Sequence, residues 1–146
     1  MATLRRKQRP SGESRLLRKP LEARFVEVMD LECNDRALVL MKERSRAVRR
    51  GDVHEVMLTD ETASVPGGTA DGIDYVGFVE FQAGGVLVYG DTVLVGGKPI
   101  GTIAGFDECH APNHYNILVK GPRRASGVDL DQWPGDQVLF EPGERE

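Results

Sequence analysis

The chain has 146 residues, 40% of them apolar and 29% charged, with a net charge of −4. That length suits one domain with its own core, and no window nears the roughly 18 apolar residues of a membrane-spanning helix. Cys33 and Cys109 are too few for a disulfide framework, and the N-terminus lacks the apolar stretch of a secretory signal, so free thiols in the cytoplasm are expected.

Charge is unevenly spread. Residues 1–19 hold Arg5, Arg6, Lys7, Arg9, Arg15, Arg18 and Lys19 against Glu13 alone, a charge of +6 that leaves −10 on the rest. An acidic body argues against nucleic acid as the partner of the main domain, and only the basic head suits RNA or an anionic surface. Residues 1–19 read as a solvated N-terminal arm, and 20–146 as a single domain.

In chain order, Leu21–Asp30 reads as a first strand, with Phe25, Val26 and Val28 suited to a sheet. Arg36–Lys42 contains Ala-Leu-Val-Leu-Met, a run of buried-strand length. Glu43–Arg50 is charged and predicts a short helical turn ended by Gly51. His54–Leu58 alternates as a strand does, with His54 expected at the surface. Thr59–Gly72 is small and polar, a loop or lid unable to build a core.

Ile73–Gln82 alternates strongly, Val86–Tyr89 follows Gly84-Gly85, and Thr92–Val95 meets Ile100–Ala104 through Gly96-Gly97 at hairpin spacing. Asn116–Lys120 is apolar, Pro122–Trp133 is a polar crossing with Trp133 expected to cover a barrel end, and Gln137–Phe140 is a last strand. Gly-Asp precedes a strand three times, at Gly51, Gly90 and Gly135, where glycine supplies a tight turn and aspartate caps backbone amides. The expected fold is all-β: a small closed or partly open barrel of about eight short strands with one short helical segment.

The run Gly90-Asp-Thr-Val-Leu-Val-Gly-Gly-Lys-Pro-Ile-Gly-Thr-Ile-Ala-Gly105, with Ile117–Gly121, Trp133-Pro-Gly-Asp-Gln-Val-Leu-Phe140 and the upstream Ala37-Leu-Val-Leu-Met-Lys-Glu43, resembles the sorbitol-specific IIA component of the bacterial phosphotransferase system. The resemblance spans about Arg36 to Phe140 and implies a small closed β-barrel in the cytoplasm. That family relays phosphoryl groups through a histidine in a His-x-His-Gly segment. The corresponding region here, from Val56 to Phe78, holds no histidine, and His54 nearby lacks the second histidine and the glycine. Without a nucleophilic nitrogen there is no relay. The resemblance therefore implies the fold and not the reaction.

Chemically able side chains are densest between Asp107 and Asn116. Cys109, His110 and His114, with Asp107 alongside, are plausible Zn or Fe ligands, although Pro112 interrupts any helix that would align them. Alternatively, His114 and His110, oriented by Asp107 and Glu108, move protons while Asn113, Tyr115 and Asn116 hold a small polar ligand at a barrel mouth closed by Thr59–Gly72. A third reading is structural, with Asn and His satisfying loop backbone groups. The functional expectation is a small-molecule-binding barrel, with or without catalysis. A non-catalytic interaction or regulatory module is the alternative, and a homodimer is open as an assembly.

Overall fold

The computed structural model describes residues 3–5 and 17–143. Within them lie eleven strands and no helix: β1 (Leu21–Cys33), β2 (Leu38–Val39), β3 (Ser45–Val48), β4 (Val53–Thr59), β5 (Thr69–Ala70), β6 (Ile73–Phe81), β7 (Gly85–Val88), β8 (Thr92–Val95), β9 (Lys98–Asp107), β10 (Asn116–Lys120) and β11 (Gln137–Glu141). Seven of them close a barrel in the order β1-β11-β8-β9-β10-β4-β6. Every barrel pairing is antiparallel except β10–β4, which is parallel. The small closed all-β barrel expected from the sequence is the fold.

The interior is filled by side chains that alternate inward, among them Phe25, Phe81, Phe106 and Phe140, with Val56, Leu58, Ile117 and Val119. Phe81 and Phe140 stack with ring centroids 5.4 Å apart. A second apolar cluster lies on the outer wall. Met57, Ala104 and Leu118 point outward there, beneath Leu38, Leu40 and Ala70 of the small β2–β5 sheet. The wall is thus buried on both faces at β4 and β10, as parallel strands require.

Three expectations are corrected. Ser45–Val48 is a strand paired with β7, so the helical turn over 43–50 is absent: its backbone groups find partners across the ladder instead. Thr59–Gly72 is not a coreless loop, because Ala70 joins the outer cluster. The Glu61 carboxylate accepts from the Asp71 and Gly72 amides, and Lys120 Nζ donates to the Thr62 and Ser64 carbonyls, which fixes the segment in place. Trp133 covers no barrel end and is 70% exposed.

The three Gly-Asp turns share one geometry. The amides of Asp52, Asp91 and Asp136 each donate to the carbonyl three residues back, and each carboxylate accepts from that same residue's amide at 2.8–2.9 Å. The aspartates therefore cap the residue entering the turn rather than the strand leaving it. Glycines 51, 90 and 135 precede them at φ of 90°, 90° and 94°, where a side chain would be strained.

Residues 1–2 and 6–16 of the expected arm lie outside the described residues. Arg18, placed in that arm from sequence, is fastened to the barrel. Its guanidinium donates to both oxygens of buried Asp91, at 2.7 and 2.8 Å, and to the Val86 carbonyl.

Candidate functional site on the outer wall

Strand register assembles the site. Glu27 on β1 faces Phe78 on β6, Phe78 faces Glu55 on β4, Glu55 faces Asn116 on β10, and Asn116 faces Asp107 on β9. Val56, Val79, Ile117 and Phe106 beside them point into the core, so period-2 alternation turns this row outward. The site lies on the outer wall at the rim of the second cluster, over which Thr59–Gly72 places Ala70.

Glu55 is the most unusual member. It is only 5% exposed, and no described side chain hydrogen-bonds its carboxyl. Burial raises its pKa to about 7, with Glu27 and Asp107 adding to the shift and Arg36 opposing it. The nearest imidazole nitrogen is His114 Nε2, 3.6 Å from Glu55 Oε1. That gap exceeds hydrogen-bond length, and both groups are shifted toward their neutral forms, so the contact is not an ion pair. Burial first, and then the His110 ring, hold His114 below the ordinary imidazole range against the pull of Asn116 and Asp107.

The tautomer of His114 follows from its other nitrogen. Nδ1 lies 2.7 Å from the Asn113 amide oxygen and therefore donates, which leaves Nε2 as a lone pair toward Glu55. Nε2 is buried without a hydrogen-bond partner, and so is Asn116 Oδ1. An acid, a base and an amide acceptor with unmet bonding capacity thus stand together. The His114 ring meets Phe78 edge-on at 4.9 Å and stacks on His110 at 5.0 Å.

Support comes from below and behind. Asn116 Nδ2 donates to Asp107 Oδ2 at 2.7 Å, which fixes the amide's orientation. Arg36 Nε donates to the Tyr75 hydroxyl at 3.0 Å, and Nη2 reaches the Cys109 sulfur at 3.6 Å. Desolvation of the sulfur and its bond to Asp107 push the Cys109 thiol up, keeping it protonated.

The structure thus brings together His114, Asp107 and Asn116 of the residues singled out in the sequence. His110 reaches the site only through its stack on His114. Glu108 and Asn113 are exposed, Asn113 serving to orient His114. Tyr115 turns away and lies under the Arg46 guanidinium, 3.1 Å from ring centroid to Cζ. Cys109, His110 and His114 do not form a ligand set: among the described residues no three His, Cys, Asp or Glu side chains converge as a metal ion requires.

Sequence reasoning missed Glu55, Phe78, Arg36 and Tyr75. His54 is also corrected, being 7% exposed rather than a surface residue. Its Nδ1 accepts the Tyr115 amide at 3.0 Å, and burial lowers its pKa. One signal was present: in His54–Thr59 both alternate faces carry apolar residues, which marks a strand buried on two sides and makes its Glu conspicuous.

Fold and site together define a closed all-β barrel with a buried, unpaired carboxyl on its outer wall. The sequence profile of a family of unknown function, DUF6917, matches residues 15–141, and the chain belongs to that family. Comparison with curated proteins and with solved structures gave no match. Among the described residues no helix is long and apolar enough to cross a membrane.

Proposed function

We propose that this protein binds a small polar molecule at the outer-wall site and moves a proton on it through Glu55. The observation that carries the reading is a pair of buried atoms without a partner, His114 Nε2 and Asn116 Oδ1, beside the Glu55 carboxyl, to which no described side chain donates. Unpaired buried polar atoms cost stability, so their concentration at one place favours a ligand that completes them. A carboxyl titrating near 7 is matched to general acid–base work at neutral pH, accepting a proton when ionised and returning it when neutral. His114 Nε2 then receives a hydrogen bond from the ligand, Asn116 Oδ1 a second, and Arg36 supplies positive charge beside the carboxyl.

The filled barrel interior favours a second reading, a non-catalytic interaction module that uses the same wall. The resemblance to sorbitol-specific IIA barrels enters as a proposal about fold ancestry, without phosphoryl relay. His54, the histidine nearest that family's motif, is buried with Nδ1 occupied.

A thermal-shift screen of small polar metabolites tests the proposal, run in parallel on the natural protein, Glu55→Gln and His114→Ala. The expected outcome is a compound whose shift falls at least tenfold in apparent affinity in both variants and whose turnover rises with ionisation near pH 7. Compounds that bind all three proteins equally would overturn the site, and binding without turnover would favour the interaction module.

A further inference from the structure

A groove of about 400 Å³ lies beside β1, lined by Val26, Glu27, Val28, Val128, Asp131, Gln132, Trp133 and Pro134. The pairing of β1 with β6 slips between Phe25 and Glu27, and this bulge turns Val26 and Glu27 to the same exposed side. The opposite wall is the segment before β11. There Trp133 is clamped by the Asp136 turn, which is tied to β1 through Gly135 N to Phe25 O and Phe25 N to Asp136 O. Val26, Val128 and Trp133 are all exposed.

Charge in this groove has one sign. Its lining contains two carboxylates, Glu27 and Asp131, and no lysine, arginine or histidine. Gln132 adds a buried Oε1 with no donor, its orientation set by Nε2 donating to the Leu130 carbonyl at 2.8 Å. Asp131 holds φ at 58°, a left-handed conformation uncommon outside glycine, in the groove wall.

We infer that this groove binds a small alkylammonium compound. The two carboxylates ask for N–H donors, and the exposed tryptophan face attracts a cation. The valines and Pro134 accept an apolar stem. A neutral apolar guest would desolvate two carboxylates without return, and an anion would be repelled. The volume falls within the roughly 300–1,000 Å³ of small-ligand sites, whereas a stable protein interface needs about 800 Å² from each partner. A free small amine is therefore the occupant.

Trp133 is the only tryptophan, so its fluorescence reports on this groove alone. The full chain is titrated with hexylammonium chloride, hexan-1-ol and sodium hexanoate at matched ionic strength. Saturable change with hexylammonium is expected, at least tenfold tighter than with the alcohol and absent with the carboxylate. The double variant Glu27→Gln/Asp131→Asn should weaken it at least tenfold while melting as the natural protein does, since asparagine tolerates the left-handed backbone of Asp131. Glu55 does not line the groove and acts on it only through the charge of Glu27, so Glu55→Gln should change the affinity less than twofold, which separates this site from the proton-transfer site. Equal response to hexan-1-ol, unaltered binding by the double variant, or absence of saturation overturns the inference. So does a sedimenting dimer that Trp133→Ala dissociates, because a second copy would then cover the groove.

Discussion

A carboxyl taken out of water without a hydrogen-bond donor ionises reluctantly, and Glu55 is held that way by its strand register. His114 acts on it as a screen more than as a charge: the ring seals the carboxyl behind Phe78 and turns a lone pair toward it. Replacing His114 with alanine should therefore admit water and lower the Glu55 midpoint from about 7 toward the ordinary carboxylate range. A carbon-13 NMR titration of the Glu55 carboxyl measures both values, and an unchanged midpoint would count against the screening role. The stability cost should be about 1 kcal/mol, because His114 makes few core contacts. Asp107, His114 and Asn116 were legible in the sequence because one loop and its flanks carry them. Glu55 and Phe78 were not, since only the parallel β4–β10 pairing and its neighbours bring residues up to some 60 positions apart into one row, and Arg36 reaches the site only through its bonds to Tyr75 and Cys109.

At the scale of the element, irregularities in β1 decide which residues face outward. Gly77 sits opposite Val28, near the β1 bulges, at φ 155°, and a Cβ there would strike the Glu27 carbonyl oxygen and the Phe25 ring. Gly77→Ala should cost about 3 kcal/mol and displace Glu27, so chemical denaturation should show the loss. A variant as stable as the natural protein would mean that the bulge is not fixed by this contact. The hairpin β8–β9 was readable from Gly96-Gly97, whose φ of 61° and 78° suit a tight two-residue connection. The strand β3 was not readable, because its short charged sequence carries no strand pattern and only the ladder with β7 selects it. Bulges leave no such signature either, which is why Val26 and Glu27 on one side could not be foreseen.

For the whole molecule, alternation and turn glycines announced an all-β barrel, whereas the order of its strands and its second, outer cluster depend on long-range pairing. The barrel's stability sustains a costly group on its wall, as functional sites often require. The pH dependence of that cost can be worked out. Glu55 has a folded pKa of about 7, raised from the ordinary carboxylate value of 4.5, so its neutral form is favoured by folding. Its contribution is fully present below the unfolded value and is lost as pH rises through the folded one. His54 and His114 run the other way: burial depresses their folded pKa, so stability is lost as pH falls below the unfolded imidazole value. A Glu55→Gln variant retains both histidines, and comparing it with the natural protein largely cancels their effect. The decisive measurement is the unfolding free energy of the two proteins by denaturant titration between pH 4 and pH 8. The stability of Glu55→Gln relative to the natural protein should rise by about 3 kcal/mol across that range, most of it between pH 4.5 and pH 7. A difference that does not change with pH would mean that Glu55 titrates as an ordinary surface carboxylate, and the proton-transfer site would lose its basis.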